Sequence, residues 1–141
     1  LPNDTNVLGN ILGGKVMHYM DICAAMSAYK HARSPVVTAS VDRLNFLAPA
    51  KMGDILILKS SVNFTGNTSM EVGVRIETEN PFSGEIKHTA SAYLTFVSLD
   101  DKRKPKTVAS VIPESIDEKR RFKQAENRKE IRKNRLQEAA K

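Results

Sequence analysis

The chain has 141 residues, of which 40% are apolar and 27% are charged, and its formal net charge is +6. This composition is ordinary for a soluble globular domain that is long enough to bury a core. No apolar stretch approaches the roughly 18 residues of a membrane span, and the first residues lack a basic leader and an apolar core, so we expect neither a membrane span nor a secretory signal peptide. The only cysteine, Cys23, cannot form an internal disulfide, which predicts a reducing, cytoplasmic setting.

The positive charge is concentrated at the C-terminal end of the chain. Residues 1–99 contain eight basic and eight acidic side chains, whereas residues 100–141 contain fourteen basic and eight acidic ones. A basic tail is compatible with binding to nucleic acid or to a membrane surface, but a solvated charged helix has the same composition. We favour the solvated helix as the explanation of this charge.

Residues 14–31 are predicted to form one helix that is buried on nearly every side. Apolar residues occur on almost every face of this segment, which is typical of a buried helix rather than an amphipathic one. Ser34 and Pro35 are expected to end it. Asp21 is the one acid in this apolar segment, and a buried acid costs free energy unless it is paired, hydrogen-bonded or used.

Four long strands with a period of two follow the helix. They are predicted at residues 36–49, 53–64, 68–80 and 85–99. Short links between alternating strands predict hairpins and hence an antiparallel sheet, in which His88 is expected to share a face with Ala90 and Leu94. We therefore predict an α+β fold in which a long antiparallel sheet wraps around one buried helix and a second subunit covers the remaining apolar surface.

The chain is expected to divide into three parts, a main domain at 1–99, a Lys- and Pro-rich link at 100–113 and a charged helix at 114–141. Ser115 and Glu118 have the spacing of a capping box at the start of that helix. Its apolar residues are too sparse for a coiled-coil seam or for a place in the main core. We expect its cap and exposed charge pairs such as Asp117 with Arg121 to hold it, and we expect the chemistry not to need it.

An ordered set of motifs gives the chain a family resemblance. Residues 4–21 read DTNVLGNILGGKVMHYMD, with an Asp-x-Asn, a Gly-Gly pair and an acid seven residues later. FLAP, GD and TS follow at residues 46–49, 53–54 and 68–69. This order resembles the hot-dog-fold acyl-CoA thioester hydrolases of bacteria and animals, whose usual first strand would precede residue 3. The resemblance implies hydrolysis of acyl-CoA to a carboxylic acid and coenzyme A, without a further cofactor, by a homodimer or a trimer of dimers.

Gly13, Gly14 and Asp21 are the candidate catalytic residues. At the start of a helix, free backbone N–H groups and the helix dipole can stabilise an oxyanion, although glycines there could also serve only a turn or close packing. Asp21 lies two helical turns further along the same face, about 10 Å away, and is expected to act as general base or as nucleophile. The alternative is a buried acid that is bonded to a neighbouring strand.

Further site candidates follow from the resemblance. Asn6 matches the family asparagine that faces the acid across the subunit interface and orients the water or the carbonyl, and Asn10 is a second candidate of this kind; both could instead be turn formers. Thr68 and Ser69 match family positions near coenzyme A. Its phosphates require basic side chains, for which the candidates are Arg43, Lys51, Lys87 and the cluster 102–104. The three histidines lack metal-ligand spacing, so no metal is expected.

Two other functions are compatible with parts of the sequence. A non-catalytic acyl-CoA sensor could use the same fold with its basic tail on nucleic acid, but a sensor has no need of Asp21 aimed at a thioester. A nucleic-acid-binding domain centred on the tail is disfavoured, because the main domain is neutral and the tail contains a single aromatic residue, Phe122. Nucleic acid is therefore not an expected partner.

Overall fold

The computed structural model describes residues 9–11 and 13–139 of the chain, so Asn6 lies outside the described residues. The elements are α1 (Gly13–Ala32), β1 (Val36–Phe46), β2 (Ile55–Thr65), β3 (Ser69–Glu79), β4 (Ile86–Ser98) and α2 (Ile116–Ala139). Their order and type agree with the prediction, and the boundaries differ from it by at most three residues. In the described part of the chain, neither helix combines the length and the hydropathy that a membrane span requires.

The four strands form one antiparallel sheet in the order β1-β4-β3-β2. β2, β3 and β4 are consecutive hairpins, because the links between them are too short for anything but antiparallel neighbours. β1 lies on the far side and pairs with β4, from Val36 opposite Ser98 to Phe46 opposite Ala90. The predicted antiparallel α+β architecture is thus confirmed, with β1 and β2 as the edge strands of the described sheet.

The core lies between α1 and one face of the sheet, which we call the inner face. The buried residues of α1 recur every four positions and are Val16, Met20, Ala24 and Ala28. They pack against the alternating apolar side chains of β3 and β4, such as Val72 and Leu94. Full burial of one such side chain stabilises the fold by about 1.5–3 kcal/mol, and the two alanines let the helix approach the sheet closely.

The apolar residues on the other side of α1 are exposed in the single chain. Ile22, Met26 and Tyr29 are 45%, 67% and 49% exposed. One chain therefore covers only one side of the helix. The uncovered side is the apolar surface that the sequence assigns to a second subunit. Contiguous apolar surface of this kind is typical of a protein–protein interface.

A register shift near the start of β4 overturns one prediction. Ile76 pairs with Ala90 while Glu77 pairs with His88, so Thr89 is an extra residue on β4. Such a bulge reverses the alternation of side chains between the two faces. Ala90 is in the core, whereas His88 lies beside Glu77 on the opposite face; the prediction that His88 shares the face of Ala90 is wrong.

α2 packs on the outer face of the sheet, opposite α1. Arg128 is only 4% exposed, forms a two-pronged ion pair with Glu71 of β3 and lies 3.6 Å from the centre of the Tyr93 ring. Phe122 contacts Phe64, with 5.0 Å between the ring centroids. As expected, no described residue of this helix belongs to the main core. The expectation that its cap and exposed charge pairs hold it is wrong, because the buried Arg128 supplies the contacts that its sparse apolar residues do not.

The capping box predicted at the start of α2 forms in part, because the Glu118 carboxylate accepts a hydrogen bond from the N–H of Glu114 rather than from that of Ser115. Ser115 Oγ accepts a hydrogen bond of 3.0 Å from the Glu118 N–H. The Asp117 carboxylate lies 3.6 Å from Arg120. The predicted pair of Asp117 with Arg121 does not form among the residues that the structure describes.

Candidate active site

The Asp21 carboxylate contacts the edge strand β1. Thr38 Oγ1 donates a hydrogen bond of 2.7 Å to Asp21 Oδ1. Asp21 is half-buried, and none of the other described residues bonds its second carboxylate oxygen. The acid of α1 is therefore bonded to a neighbouring strand, as the alternative reading of the sequence expected, but it is not fully buried as that alternative required. It presents one oxygen to solvent or to a ligand.

Gly13 and Gly14 form the beginning of α1, as predicted. Neither has a positive φ. A Cβ at Gly14 would meet nothing within 4 Å, and one at Gly13 would make an ordinary 3.6 Å contact with Phe46. Within the described chain, neither a turn nor close packing requires glycine here, so open space lies beside the N–H groups of the first helical turn, which have no acceptor in the helix.

A cavity of about 380 Å³ adjoins this helix start. It is lined by Asn10, Gly13, Val16 and the segment 46–50, among others. Asn10 is held there because Ile11 N–H donates to the carbonyl of Ala50 at 2.8 Å. An apolar cavity at the positive end of a helix suits a ligand that has an apolar arm and a polarised carbonyl. Asp21 does not line this cavity.

Thr68 and Ser69 lie at the opposite end of the sheet from Gly13. The Thr68 carbonyl accepts a hydrogen bond from Ser98, which pairs with the first residue of β1. Gly13 lies beside Phe46, the last residue of that strand. Ten residues of strand span roughly 33 Å, so one chain does not bring Thr68 and Ser69 to the glycines.

The predicted phosphate-binding side chains do not converge in the described structure. Arg43 is exposed on β1 with a left-handed φ of 51°, and exposed Lys87 lies 4.0 Å from Glu85. Lys51 and residues 102–104 are also exposed. None of these described side chains lines the cavity at the start of α1. Across the described residues, no group of His, Cys, Asp and Glu could hold a metal ion.

Thr38 is the candidate that sequence reasoning missed. It stands 17 residues after Asp21, and only the packing of α1 beside β1 brings the two together. A polar β-branched residue in a strand is ordinary and gave no signal alone. Knowledge that β1 is the edge strand nearest to Asp21 would have been needed to single it out.

The family of the chain follows from comparisons with known proteins. A model of the thioesterase superfamily matches residues 8–82. The acyl-CoA thioester hydrolase YkhA of Bacillus subtilis is 42% identical over 134 residues, which are 95% of this chain and 78% of that protein. The crystal structure of a hexameric acyl-CoA thioesterase is 49% identical with a TM-score of 0.93, and the match covers 96% of this chain and 87% of that one.

The acyl-CoA hydrolase of Staphylococcus aureus, solved with butyryl coenzyme A, coenzyme A and coenzyme A disulfide, is 44% identical with a TM-score of 0.90. That match covers 99% of this chain and 85% of the other. Further structures of the same enzyme have alanine in place of an asparagine, an aspartate or a threonine; the aspartate follows the asparagine by 15 positions and the threonine follows the aspartate by 17. With the superfamily model matching more than half of its length, the chain belongs to the thioesterase superfamily, among the acyl-CoA thioester hydrolases that its motifs resemble.

Proposed function

We propose that this protein hydrolyses acyl-CoA thioesters to carboxylic acids and coenzyme A, with Asp21 acting on the reacting atoms. The observation that carries the proposal is the 2.7 Å hydrogen bond from Thr38, which orients an accessible carboxylate on the helix whose first turn adjoins a cavity. The relatives support it. Asn6 and Thr38 stand 15 positions before and 17 positions after Asp21, the separations of the three residues replaced in the Staphylococcus aureus enzyme.

In this mechanism the thioester carbonyl oxygen lies against the N–H groups of Gly13 and Gly14, where its developing negative charge meets the positive end of α1. Asp21 takes a proton from a water molecule, whose oxygen attacks the carbonyl carbon. The carbon–sulfur bond then breaks, and coenzyme A leaves as a thiolate that takes up a proton. In the second route, Asp21 attacks the carbon itself and forms a mixed anhydride that water hydrolyses. Thr38 serves both routes by holding one carboxylate oxygen.

The proposed site is shared between subunits. Gly14 and Asp21 are about two turns of α1 apart, and the cavity at the helix start does not include Asp21. The exposed apolar residues Ile22 and Met26, one turn apart on α1, offer a surface for a second copy of the chain. We infer that the chain forms at least a homodimer in which Asn6 of one subunit faces Asp21 of the other. A hexameric relative supports an assembly that contains such dimers.

Coenzyme A is part of the substrate and product in this proposal, and no cofactor or metal takes part in either route. Asn10 lies beside Gly13 in the cavity and is assigned to the pantetheine arm. Thr68, Ser69, Arg43 and Lys87 remain candidates for contacts with the nucleotide end in a neighbouring subunit. The cytoplasmic location predicted from the single cysteine belongs to the same proposal.

Release of free thiol from acetyl-, hexanoyl- and palmitoyl-CoA tests the activity and its chain-length preference. Asp21→Asn keeps the size of the side chain and its contact with Thr38 but removes the base, so we expect the rate to fall about 10²- to 10⁴-fold. Asp101→Asn, in an exposed turn, is the matched control and should hydrolyse as the unaltered protein does.

Near-full turnover by a folded Asp21→Asn variant would overturn the assigned mechanism. Binding of acyl-CoA by the unaltered protein without any thiol release would favour the non-catalytic sensor instead. Refolding Asn6→Ala chains together with Asp21→Ala chains tests the shared site. In mixed dimers one site carries both changes and the other carries neither, so activity should be partly recovered.

A further inference from the structure

A second cavity, of about 470 Å³, lies on the outer face of the sheet against the first half of α2. We call it the outer groove. Its floor includes Ser61, Gly73 and Ser91 from three neighbouring strands. Gly73 leaves room for the buried Asn63, whose Nδ2 would lie 2.6 Å from a Cβ at that position. The volume is in the range of sites that hold small molecules.

Four basic side chains line the outer groove, and no carboxylate of the described residues does. Lys59 and Arg75 belong to the sheet, and Arg120 and Arg121 belong to α2. The side chains of Lys59, Arg75 and Arg120 are 66%, 51% and 59% exposed. A ligand in the groove can therefore contact basic side chains of both the sheet and α2.

Neighbouring carboxylates neutralise only part of this charge. Glu77 lies 2.7 Å from Lys59 and 3.8 Å from Arg75, and Asp117 lies 3.6 Å from Arg120. The hydrogen bond from Lys59 is the main cause that lowers the pKa of Glu77 below its usual value, and desolvation opposes it. This carboxylate is therefore ionised and already paired with Lys59. Arg121 is half-buried and has no carboxylate partner among the described residues. Cations gathered without enough counter-charge create a positive potential that attracts anions.

The groove is separate from the proposed thioester site. Asp21 and the start of α1 lie on the inner side of the sheet, and the strands stand between them and the outer groove. One wall of the groove is α2, which the buried pair of Arg128 with Glu71 fixes to the sheet. The cations are thus presented by packed elements rather than by a free tail.

We propose that the outer groove binds a phosphate-bearing small molecule. Arginine matches the oxygens of a phosphate group with two parallel hydrogen bonds, and a phosphate group offers more negative charge in the same space than one carboxylate does. Ser61, Ser91 and Gln124 add neutral hydrogen-bonding groups for the rest of such a molecule. Two sources share this chemistry, namely a free nucleotide and the nucleotide end of coenzyme A reaching over from a neighbouring subunit.

Calorimetric titration of the full chain with ADP and with adenosine 3′,5′-bisphosphate tests this site and separates the sources. The bisphosphate reproduces the nucleotide end of coenzyme A, and about 0.15 M salt screens non-specific attraction. We expect Arg75→Gln and Arg121→Gln each to raise the dissociation constant roughly tenfold or more, since hydrogen bonds between charged groups are among the strong ones. Lys119→Gln removes an equal charge from an exposed position of α2 outside the groove and should leave it unchanged.

Ser91→Asp is the second variant, because it places a carboxylate among the cations without removing an ion pair, and it should abolish binding. Binding of ADP supports a free-nucleotide site, and binding of the bisphosphate alone supports the coenzyme as the source. The proposal fails if neither probe binds the unaltered protein, or if folded Arg75→Gln and Arg121→Gln variants bind as tightly as it does. Because no hydrolysis is measured, this outcome is independent of the proposed thioesterase activity.

Discussion

At the scale of single residues, the contact between Thr38 and Asp21 joins structure and chemistry. The donor belongs to β1 and the acceptor to α1, and the 2.7 Å separation is that of a strong hydrogen bond to a carboxylate. The same contact fixes the edge strand against the helix and turns the acid toward a defined direction. A structural acid and a catalytic one therefore look alike in this place, and kinetics of variants distinguish them.

Replacing Thr38 by valine removes the hydroxyl and keeps the shape of the side chain. Loss of one hydrogen bond to a charged group is worth about 1.5–3 kcal/mol, so we expect kcat to fall roughly ten- to a hundredfold with little change in KM. Thr38→Ser retains the hydroxyl and should recover most of kcat. A Thr38→Val enzyme with unchanged kcat, or a loss that serine does not repair, would show that Thr38 does not position the acid.

Gly14→Ala should change stability and activity in opposite directions. A Cβ at Gly14 meets nothing within 4 Å, and alanine favours the helix by up to about 1 kcal/mol, so the melting temperature should hold or rise. The added methyl group stands where the thioester is proposed to approach the N–H groups, and kcat/KM for hexanoyl-CoA should fall. A more stable variant with full activity would show that the thioester does not approach the N–H groups at Gly14 closely.

At the scale of elements, α2 should depend on its buried ion pair. Glu71→Gln leaves Arg128 buried without a counter-charge, which typically costs about 3–5 kcal/mol of unfolding free energy. Urea unfolding should detect this loss, whereas Glu85→Gln, at an exposed position, should change the stability little. The double variant Glu71→Leu/Arg128→Met replaces the pair with apolar side chains and should recover most of the stability. A Glu71→Gln protein as stable as the control would mean that α2 is held by other contacts.

The regular elements could be predicted because their patterns are local. The alternation of Met70, Val72, Val74 and Ile76 in β3 is confirmed by their burial. The face of His88 could not be predicted, since the extra residue at Thr89 is a property of strand pairing and leaves no mark on the composition. Arg128 was missed for a related reason. An arginine in a charged helix looks solvated until the strand that carries its partner is known.

The candidate site divides in the same way. The glycines and the acid could be read from the sequence, because their spacing along one helix is local and fixes their relative positions. Thr38 comes from another element and Asn6 is expected to come from another subunit, so their contribution depends on tertiary and quaternary contacts. Thr68 and Ser69 match the motif, but in one chain they lie far from Gly13, so any role at the site depends on a neighbouring subunit as well.

At the scale of the whole molecule, the sheet separates two surfaces of different chemistry. The inner side carries α1 with its acid and with exposed apolar residues such as Met26, which a second copy of the chain can cover. The outer side carries α2 and most of the excess positive charge. This charge lies over the sheet instead of on a free arm. It can draw anionic acyl-CoA toward the protein, an effect that weakens as salt is added.

Truncation after Pro113 should therefore lower stability far more than it lowers turnover. Removal of α2 leaves Glu71 without its arginine and uncovers the outer face, so we expect the melting temperature to fall by roughly 10 °C, as a loss of several kcal/mol implies. The Asp21–Thr38 contact is on the other side, and kcat measured well below that temperature should stay near the full-length value, with KM raised mainly at low salt.

The matched control for this truncation is the same truncation with Glu71→Leu. Leucine removes the buried charge that lost its partner, so the melting temperature should recover in part while kcat stays the same. If kcat collapses in both truncated proteins although they assemble normally and are folded at the assay temperature, α2 helps to build the active site. The separation of the two surfaces by the sheet would then not extend to function.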